Sequence, residues 1–560
     1  RRLSYLLSII RMVKNSRLVA SAALLLIAAA VSTDGTATEI LPSKCRATLS
    51  EEHPDHVGSL PGWNQPLPSP WFSGYLHYTL EGVEVHTHYV FVEAEEVEGS
   101  DDGGGTDLRP LIYWTNGGPG ASSMYGLLAE LGPLILSDAS RATDAYRETG
   151  VPAPQYNPHS WTRLGSVLVF DQPAPVGFSY CGDDLTSPSC GGIEWTDELT
   201  ASNALAALQA FYAKFPCETE RDLFLSGESY AGIYIPMLAR LILKEGEREG
   251  SEGASAIPLR GFAVGDGCLG TETEVCVTEE SADLTKSDFW NVWFMAGHHQ
   301  IPMADFGLLM EACHHQKDPE FLKSSPPSVD DDNCRAALTK IKGEVGGFFE
   351  YSLYDDCTYR NGLFRTSKAA VDGALNDYSC GGGEVMGQYL KLDTVRDALH
   401  VEAEFLSVDG AGGGFSYTWT EPDLRDFYKE INGKLRVLVY NGDTDPSINS
   451  FVAEDWTSKL GFHETKHWAP WTVDGCRRMG GYVTRYEGGF DFLTIRGAGH
   501  MVPTYKPAAA FVFMQAWIKG EEYPAYDPGC SVPPAATYTG ERETLEGSSS
   551  VTRNSMLRSS

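Results

Sequence analysis

Ser229, within "LFLSGESYAG" (223–232), follows a short apolar run and is flanked by glycines and small residues. A serine hydroxyl is a poor nucleophile until a neighbouring base takes its proton and a third group orients that base. The chain supplies both kinds of partner downstream: Asp443 and Asp445 follow "LRVLVY", and His500 follows "FDFLTIR". Nucleophile, acid, histidine is the order in which doubly wound α/β sheets carry this chemistry, each group at the C-terminal end of a strand. A serine in a glycine-rich turn, or a single histidine near a glycine, is on its own an ordinary structural feature. Three such residues in order, each just after a buried-strand signal, call for a chemical reading.

Acyl transfer also needs backbone N–H groups aimed at the oxygen of the tetrahedral intermediate, and losing one such donor typically costs about 10²–10³ in rate. One donor is expected to be the amide of the residue after the nucleophile, Tyr230, and the other to come from a glycine loop after an earlier strand. "WTNGGPGASS" (114–123) follows the apolar run "RPLIYW" and is that loop, with Gly118 as the expected donor. No metal or other cofactor is called for. "CHH" at 313–315 reads as a disulfide cysteine beside two histidines rather than a metal site.

The elements that must position these groups are legible as patterns. "FSGYLHYTLEGVEVHTHYVFVEAEEVE" (72–98) alternates apolar and polar residues and is rich in Tyr, Val and Phe, which predicts an antiparallel meander. Residues 109–116, 166–172, 222–227 and 258–267 are short apolar runs of the kind buried on both faces of a sheet, and 198–215 and 233–246 have helical periodicity. Strands alternating with helices imply a doubly wound, mostly parallel α/β sheet. The rhythm breaks over 268–388, a cysteine-rich stretch read as an inserted cap, and resumes at 389–401, 434–443 and 490–500 before a closing helix at 508–520. The expected organisation is a leader at 1–38, a core in two parts (45–267 and 389–530) and a C-terminal tail at 531–560.

Composition sets outer bounds. The chain has 560 residues, 42% hydrophobic and 21% charged, and a formal net charge of −33, which fits a globular protein and argues against nucleic acid as a partner. "RRLSYLLSIIRMVKNSR" is basic, and the apolar "LVASAALLLIAAAV" (18–31) after it is short for a bilayer span. This reads as a signal peptide or a signal anchor, with no stable membrane insertion once a signal peptide is removed. All twelve cysteines lie beyond that run and six fall between 268 and 380, so a disulfide-stapled region is expected there, with its pairing open.

Five motifs, "WTNGGPGASS", "DQPAPVGFSY", "GESYAG", "NGDTD" and "RGAGHMVPTYKP", together resemble the signatures of the serine carboxypeptidases, the group of carboxypeptidase Y and cathepsin A. The resemblance implies an α/β-hydrolase fold with an inserted cap, and a catalytic Ser229, Asp445 (rather than Asp443) and His500. It implies peptide substrates with a free C-terminus, held by Asn116, the N–H of Gly117, Glu130 and Glu228. Two acids can bind a carboxylate if like charges held close share a proton, so activity is expected to be favoured at acidic pH. Vacuole, lysosome and extracellular space fit equally, and a homodimer is compatible.

The chain departs from the family pattern at Ala121, where a cysteine is usual, which leaves the partner of Cys357 open. It departs again at Tyr505 in "TYKP" and at Asp266 in "GDG", where G-N-G is common. Two rival readings are an acyltransferase of the same fold using an alcohol acceptor and a catalytically idle protective or binding protein. Glu130, Glu228 and Ala231 speak against the first, the intact Ser–Asp–His set against the second.

Overall fold

The computed structural model of the protein describes residues 52–531 apart from 97–108, 184, 186–189, 249–256, 274, 277–285, 314–330, 356, 358–379 and 407–414. The described residues fall in one compact unit. The expected leader and nearly all of the expected tail lie outside them. Among the described residues no helix is long and apolar enough to cross a membrane.

After a two-residue edge strand at His56–Val57, the main sheet continues with an antiparallel hairpin, β1 (Trp71–Leu80) and β2 (Val83–Val92), where the alternating pattern predicts one. β3 (Leu111–Thr115) and β4 (Ser166–Phe170) come next. Then follow α1 (Asp197–Lys214), β5 (Leu223–Glu228), α2 (Ala231–Arg248) and β6 (Leu259–Gly265). Helix α1 starts where the Thr196 side chain accepts the Leu199 N–H, and it carries Asp197 and Glu198 in its first turn and Lys214 in its last, matching the helix dipole.

Between β6 and the next sheet strand lie α3 (Lys286–Gly297), α4 (Met303–Ala312) and α5 (Asp332–Glu344), which pack a small core of their own from Phe289, Val292, Leu309, Leu338 and Ile341. Over 389–401 the structure has the end of α6 (Gly382–Leu390) and then α7 (Asp393–Ala398), so the segment is helical. The sheet resumes with β7 (Arg436–Gly442), the hairpin β8 (Glu464–Thr472) and β9 (Met479–Tyr486), and β10 (Phe490–Ile495), before α8 (Pro507–Lys519) closes the fold.

With the short strands His56–Val57 on β1 and Tyr180–Cys181 on β2 set aside, the strand order is β1-β2-β4-β3-β5-β6-β7-β10-β9-β8, parallel from β4 to β10 and antiparallel at both ends. Side chains alternate between two cores, one on each face. Leu111, Tyr113, Leu223, Leu225, Val437 and Val439 face one, and Ile112, Trp114, Phe224, Leu438 and Tyr440 face the other. Burial on both faces is why these strands read as unbroken apolar runs. The order reverses beside β3, whose sequence successor β4 lies on one side and β5 on the other. A crevice therefore opens above the C-terminal ends of β3 and β5.

Five disulfides join described cysteines: Cys181–Cys190, Cys268–Cys276, Cys313–Cys334, Cys357–Cys380 and Cys476–Cys530. Three lie within 268–380, the stretch whose cysteine density predicts staples. Cys313 of "CHH" is thus a structural cysteine, and Cys357 has Cys380 where Ala121 offers no sulfur. This density of disulfides fits the oxidising secretory route.

Candidate functional site

Ser229 sits at the turn from β5 into α2 with φ +63°, a left-handed conformation uncommon for a non-glycine residue. The turn is over-determined by its neighbours: the Ser229 N–H donates to Gly265 O (2.9 Å), and its carbonyl accepts from Gly232 N (2.9 Å) and Cys268 N (3.0 Å). Small residues around the serine are a packing requirement. A Cβ on Gly227 would stand 2.4 Å from Thr115 O and 2.6 Å from the Ala231 Cβ.

The glycine loop after β3 presses against this elbow. A Cβ on Gly117 would meet Tyr230 N at 2.3 Å, so only a glycine lets the two backbones touch. That contact sets the Gly117 backbone against Tyr230 N and the Ser229 side chain, and Gly118 follows it on the cavity wall. Farther along the loop, the Ser122 hydroxyl donates to Asp171 Oδ1 in a short hydrogen bond, which ties the loop to the end of β4.

Beyond β7, the fully buried Asp445 accepts the amides of Ser447 (2.8 Å) and Ile448 (3.3 Å), and its Oδ2 is bonded to His500 Nδ1 at 2.7 Å. Asp443, the other acid in "NGDTD", is used differently: it accepts the Gly497 N–H at 2.6 Å, and burial pushes its pKa up to about 6. His500 is further held by stacking on Tyr351, with centroids 4.8 Å apart, and by its own N–H donating to Tyr351 O (2.8 Å). Tyr351 lies in the inserted region, where no sequence signal marks it. His500 Nε2 is buried and makes no hydrogen bond, so none joins it to Ser229 Oγ here. Both residues line one cavity of about 1520 Å³.

Asn116, Glu130 and Glu228 meet in the same cavity. Asn116 Nδ2 donates to one oxygen of each glutamate at 2.9 Å, and its Oδ1 accepts from Trp114 Nε1 (2.9 Å) and Gly126 N (3.0 Å), which fixes the amide's orientation. Both glutamates are buried, and their second oxygens find no donor. Desolvation raises Glu130 to about 7. It also raises Glu228 well above the ordinary carboxyl range, helped by the charge of Glu130. Two acids held this close favour keeping a proton between them.

Asp266 is a further acid behind this site. It is fully buried and accepts Asn441 Nδ2 (3.1 Å) and Gly442 N (3.0 Å); burial, then the charges of Asp445 and Glu228, raise it well above its ordinary value. Its folded state therefore retains a proton that the unfolded chain has lost, and stability falls as pH rises through the folded pKa. Asp266→Asn is expected to change stability by less than about 1 kcal/mol at acid pH. Relative to wild type it is expected to gain about 1.4 kcal/mol for each pH unit between the ordinary aspartate range and the raised folded value, the gain levelling off above that value, so that at pH ~8 the variant is the more stable. Urea midpoints at the two pH values check this. The other departure, Tyr505, is buried with its hydroxyl on Asp355 at 3.0 Å.

A second Ser–His–Asp chain shows what geometry alone does not supply. Ser73 Oγ lies 3.0 Å from His88 Nε2, and His88 Nδ1 lies 2.7 Å from Asp171 Oδ2. All three are fully buried, the hydroxyl is engaged by Leu399 O at 2.7 Å, and none lines the cavity. It is a core network tying β1, β2 and β4 together.

Comparison with known proteins bears on the family and the fold. The family model for serine carboxypeptidases matches residues 61–520. The lysosomal protective protein of Mus musculus is 29% identical over 515 residues, covering 85% of this chain and 96% of the mouse protein. Serine carboxypeptidase 1 of Hordeum vulgare is 26% identical over 83% of this chain and 93% of its own length. Among solved structures, Kex1(Δ)p, a prohormone-processing carboxypeptidase from Saccharomyces cerevisiae, shares the fold with a TM-score of 0.59 at 19% identity, covering 81% of this chain and 92% of that one. With an α/β-hydrolase sheet and a family match over most of its length, the chain belongs to the serine carboxypeptidase family.

Proposed function

We propose that this chain, a serine-type carboxypeptidase by family, releases C-terminal residues from peptides through an acyl-enzyme on Ser229, with binding favoured at acidic pH. The observation that carries the reading is that one cavity contains the elbow serine, the imidazole tethered to Asp445, and the Asn116–Glu130–Glu228 cluster. In this reading His500 Nε2 takes the Ser229 proton as the hydroxyl attacks the last peptide carbonyl. Asp445 holds the imidazole in the tautomer that leaves Nε2 free to accept. The amides of Gly118 and Tyr230 receive the oxyanion. The proton then passes to the departing amino group, and water, activated by the same histidine, frees the enzyme. Hydrogen bonds of this kind are often open in the free enzyme and close in the Michaelis complex, in keeping with the unpaired Nε2.

Asn116 holds the two acids together, and the Gly117 N–H and the proton carried by the pair meet the substrate's terminal carboxylate. An acyltransferase for alcohol acceptors has no use for such a cluster. A serine-directed phosphonate is expected to add once, at Ser229, as read by peptide mass mapping. The enzyme should then lose the ability to release the last residue of a blocked dipeptide at acid pH. An unlabelled Ser229, or equal hydrolysis of free and amidated C-termini at acid pH, overturns the reading.

A further inference from the structure

The protein carries 76 acidic and 43 basic side chains, yet its cavity has the opposite balance. The carboxylates on the cavity wall are Glu130, Glu228 and Glu384. The first two sit in the proton-sharing cluster, and the third is paired with Arg141 at 2.9 Å. The cations on the same wall are Lys391, Arg477, Arg478, Arg496 and Lys506.

Arginines elsewhere on the surface are mostly matched, as in Arg240–Glu421, Arg260–Asp222, Arg425–Asp423 and Arg485–Glu522. Arg477, Arg478 and Arg496 make no ion pair among the described residues. Arg477 donates to Pro528 O at 2.5 Å, while Arg478 and Arg496 present exposed guanidinium groups. Their placement is local. Arg496 and Lys506 both act on Asp443, Lys506 packs beside Gly497, and Arg478 acts on His159, another cavity residue. Two acids stand near these arginines, and each directs its carboxylate to backbone amides: half-buried Asp443 accepts the N–H of Gly497, and Asp474 accepts those of Cys476 and Arg478.

A cation-lined cleft in a strongly anionic molecule focuses the field at its mouth, and arginine presents a planar fork matched to a carboxylate. We propose that the arginine-lined end of the cavity, formed by Arg477, Arg478 and Arg496 with Lys506, is a specificity subsite for acidic side chains near the substrate's C-terminus. This rests on the carboxypeptidase reading above. It adds to that reading a preference for aspartate- or glutamate-bearing chain ends over their neutral isosteres and over basic ones.

The test is a panel of blocked peptides with free C-termini, carrying Glu or Gln in turn at the last, second-last and third-last position. Wild type and the Arg478→Gln/Arg496→Gln variant are compared at low and high salt. Wild type is expected to favour Glu over Gln at one position by about tenfold in kcat/KM, through KM, with the preference shrinking as salt screens the cluster. In the double variant the preference should disappear while the Gln peptides keep their kinetics, which also shows that the variant is folded. Should the double variant not fold, Arg496→Gln alone, together with the salt series on wild type, decides. Inorganic phosphate that competes with Glu peptides and not with Gln peptides supports the subsite; phosphate that inhibits both alike counts against it. Equal cleavage of Glu and Gln peptides, or a preference that survives in the double variant, overturns the proposal. Failure of wild type to cleave any peptide of the panel instead overturns the carboxypeptidase reading itself.

Discussion

Ser229→Ala is expected to lower kcat for peptide hydrolysis by about 10⁴–10⁶, leaving only what the oxyanion donors and binding contribute. The substitution is well suited to separating chemistry from folding. Alanine keeps a Cβ at the same left-handed φ of +63°, so the turn holds the same strain, and the backbone bonds to Gly265, Gly232 and Cys268 are untouched. Thermal unfolding should accordingly shift by no more than the equivalent of about 1 kcal/mol. Steady-state hydrolysis of a blocked dipeptide at acid pH, beside a melting curve, measures both. A variant with normal stability that retains activity within tenfold of wild type would place the nucleophile elsewhere.

The second large effect is a loss of peptide binding as pH rises, with its origin in Glu130 and Glu228. Desolvation is the largest cause of both upward shifts, and the proximity of the two acids adds to the shift of Glu228. At acid pH the pair keeps a proton and can donate to a substrate carboxylate. As pH rises through the raised range of the two acids, the pair loses its protons, turns anionic and repels it. KM for free-acid peptides should rise up to about tenfold per pH unit as that range is crossed, with kcat changing less, and amide or ester substrates should show no such rise. Stability carries the same sign. Below about 4.5 both folded and unfolded chains hold these protons. Between there and the raised folded values, about 7 for Glu130, only the folded chain does, so the contribution of these groups to stability declines as pH climbs through that window. Glu228→Gln, which is neutral at every pH, should flatten the alkaline rise in KM and stabilise the protein at pH ~8. A KM for free-acid peptides that stays level from acid to neutral pH, or a Glu228→Gln variant whose KM still climbs, contradicts this account.

Much of the scaffold was legible before any coordinates, because the signals are local. The runs at 109–116, 166–172, 222–227 and 258–267 lie on strands Leu111–Thr115, Ser166–Phe170, Leu223–Glu228 and Leu259–Gly265. A strand buried on both faces has to be apolar throughout, and a helix between strands has to keep its period. The hairpin Glu464–Thr472 with Met479–Tyr486 left no such trace. Its first strand is the edge of the sheet, largely exposed, with Pro470 inside it, so burial imposes little pattern there.

By itself the sequence determined the order of the chemistry-bearing residues and their attachment to strand ends, since turn chemistry and periodicity act over a few residues. Which groups touch was decided by tertiary structure. The strand ends alone left Asp443 and Asp445 equivalent; folding put Asp445 on His500 and Asp443 on Gly497. Asn116 reaches Glu228 across 112 residues of chain and joins it to Glu130, Tyr351 reaches His500 from the inserted region, and arginines from two separate loops converge on one cavity wall. No local propensity encodes such contacts. They arise when burial of both sheet faces brings distant loops to one edge, where desolvation and neighbouring charge then set the protonation of the buried acids.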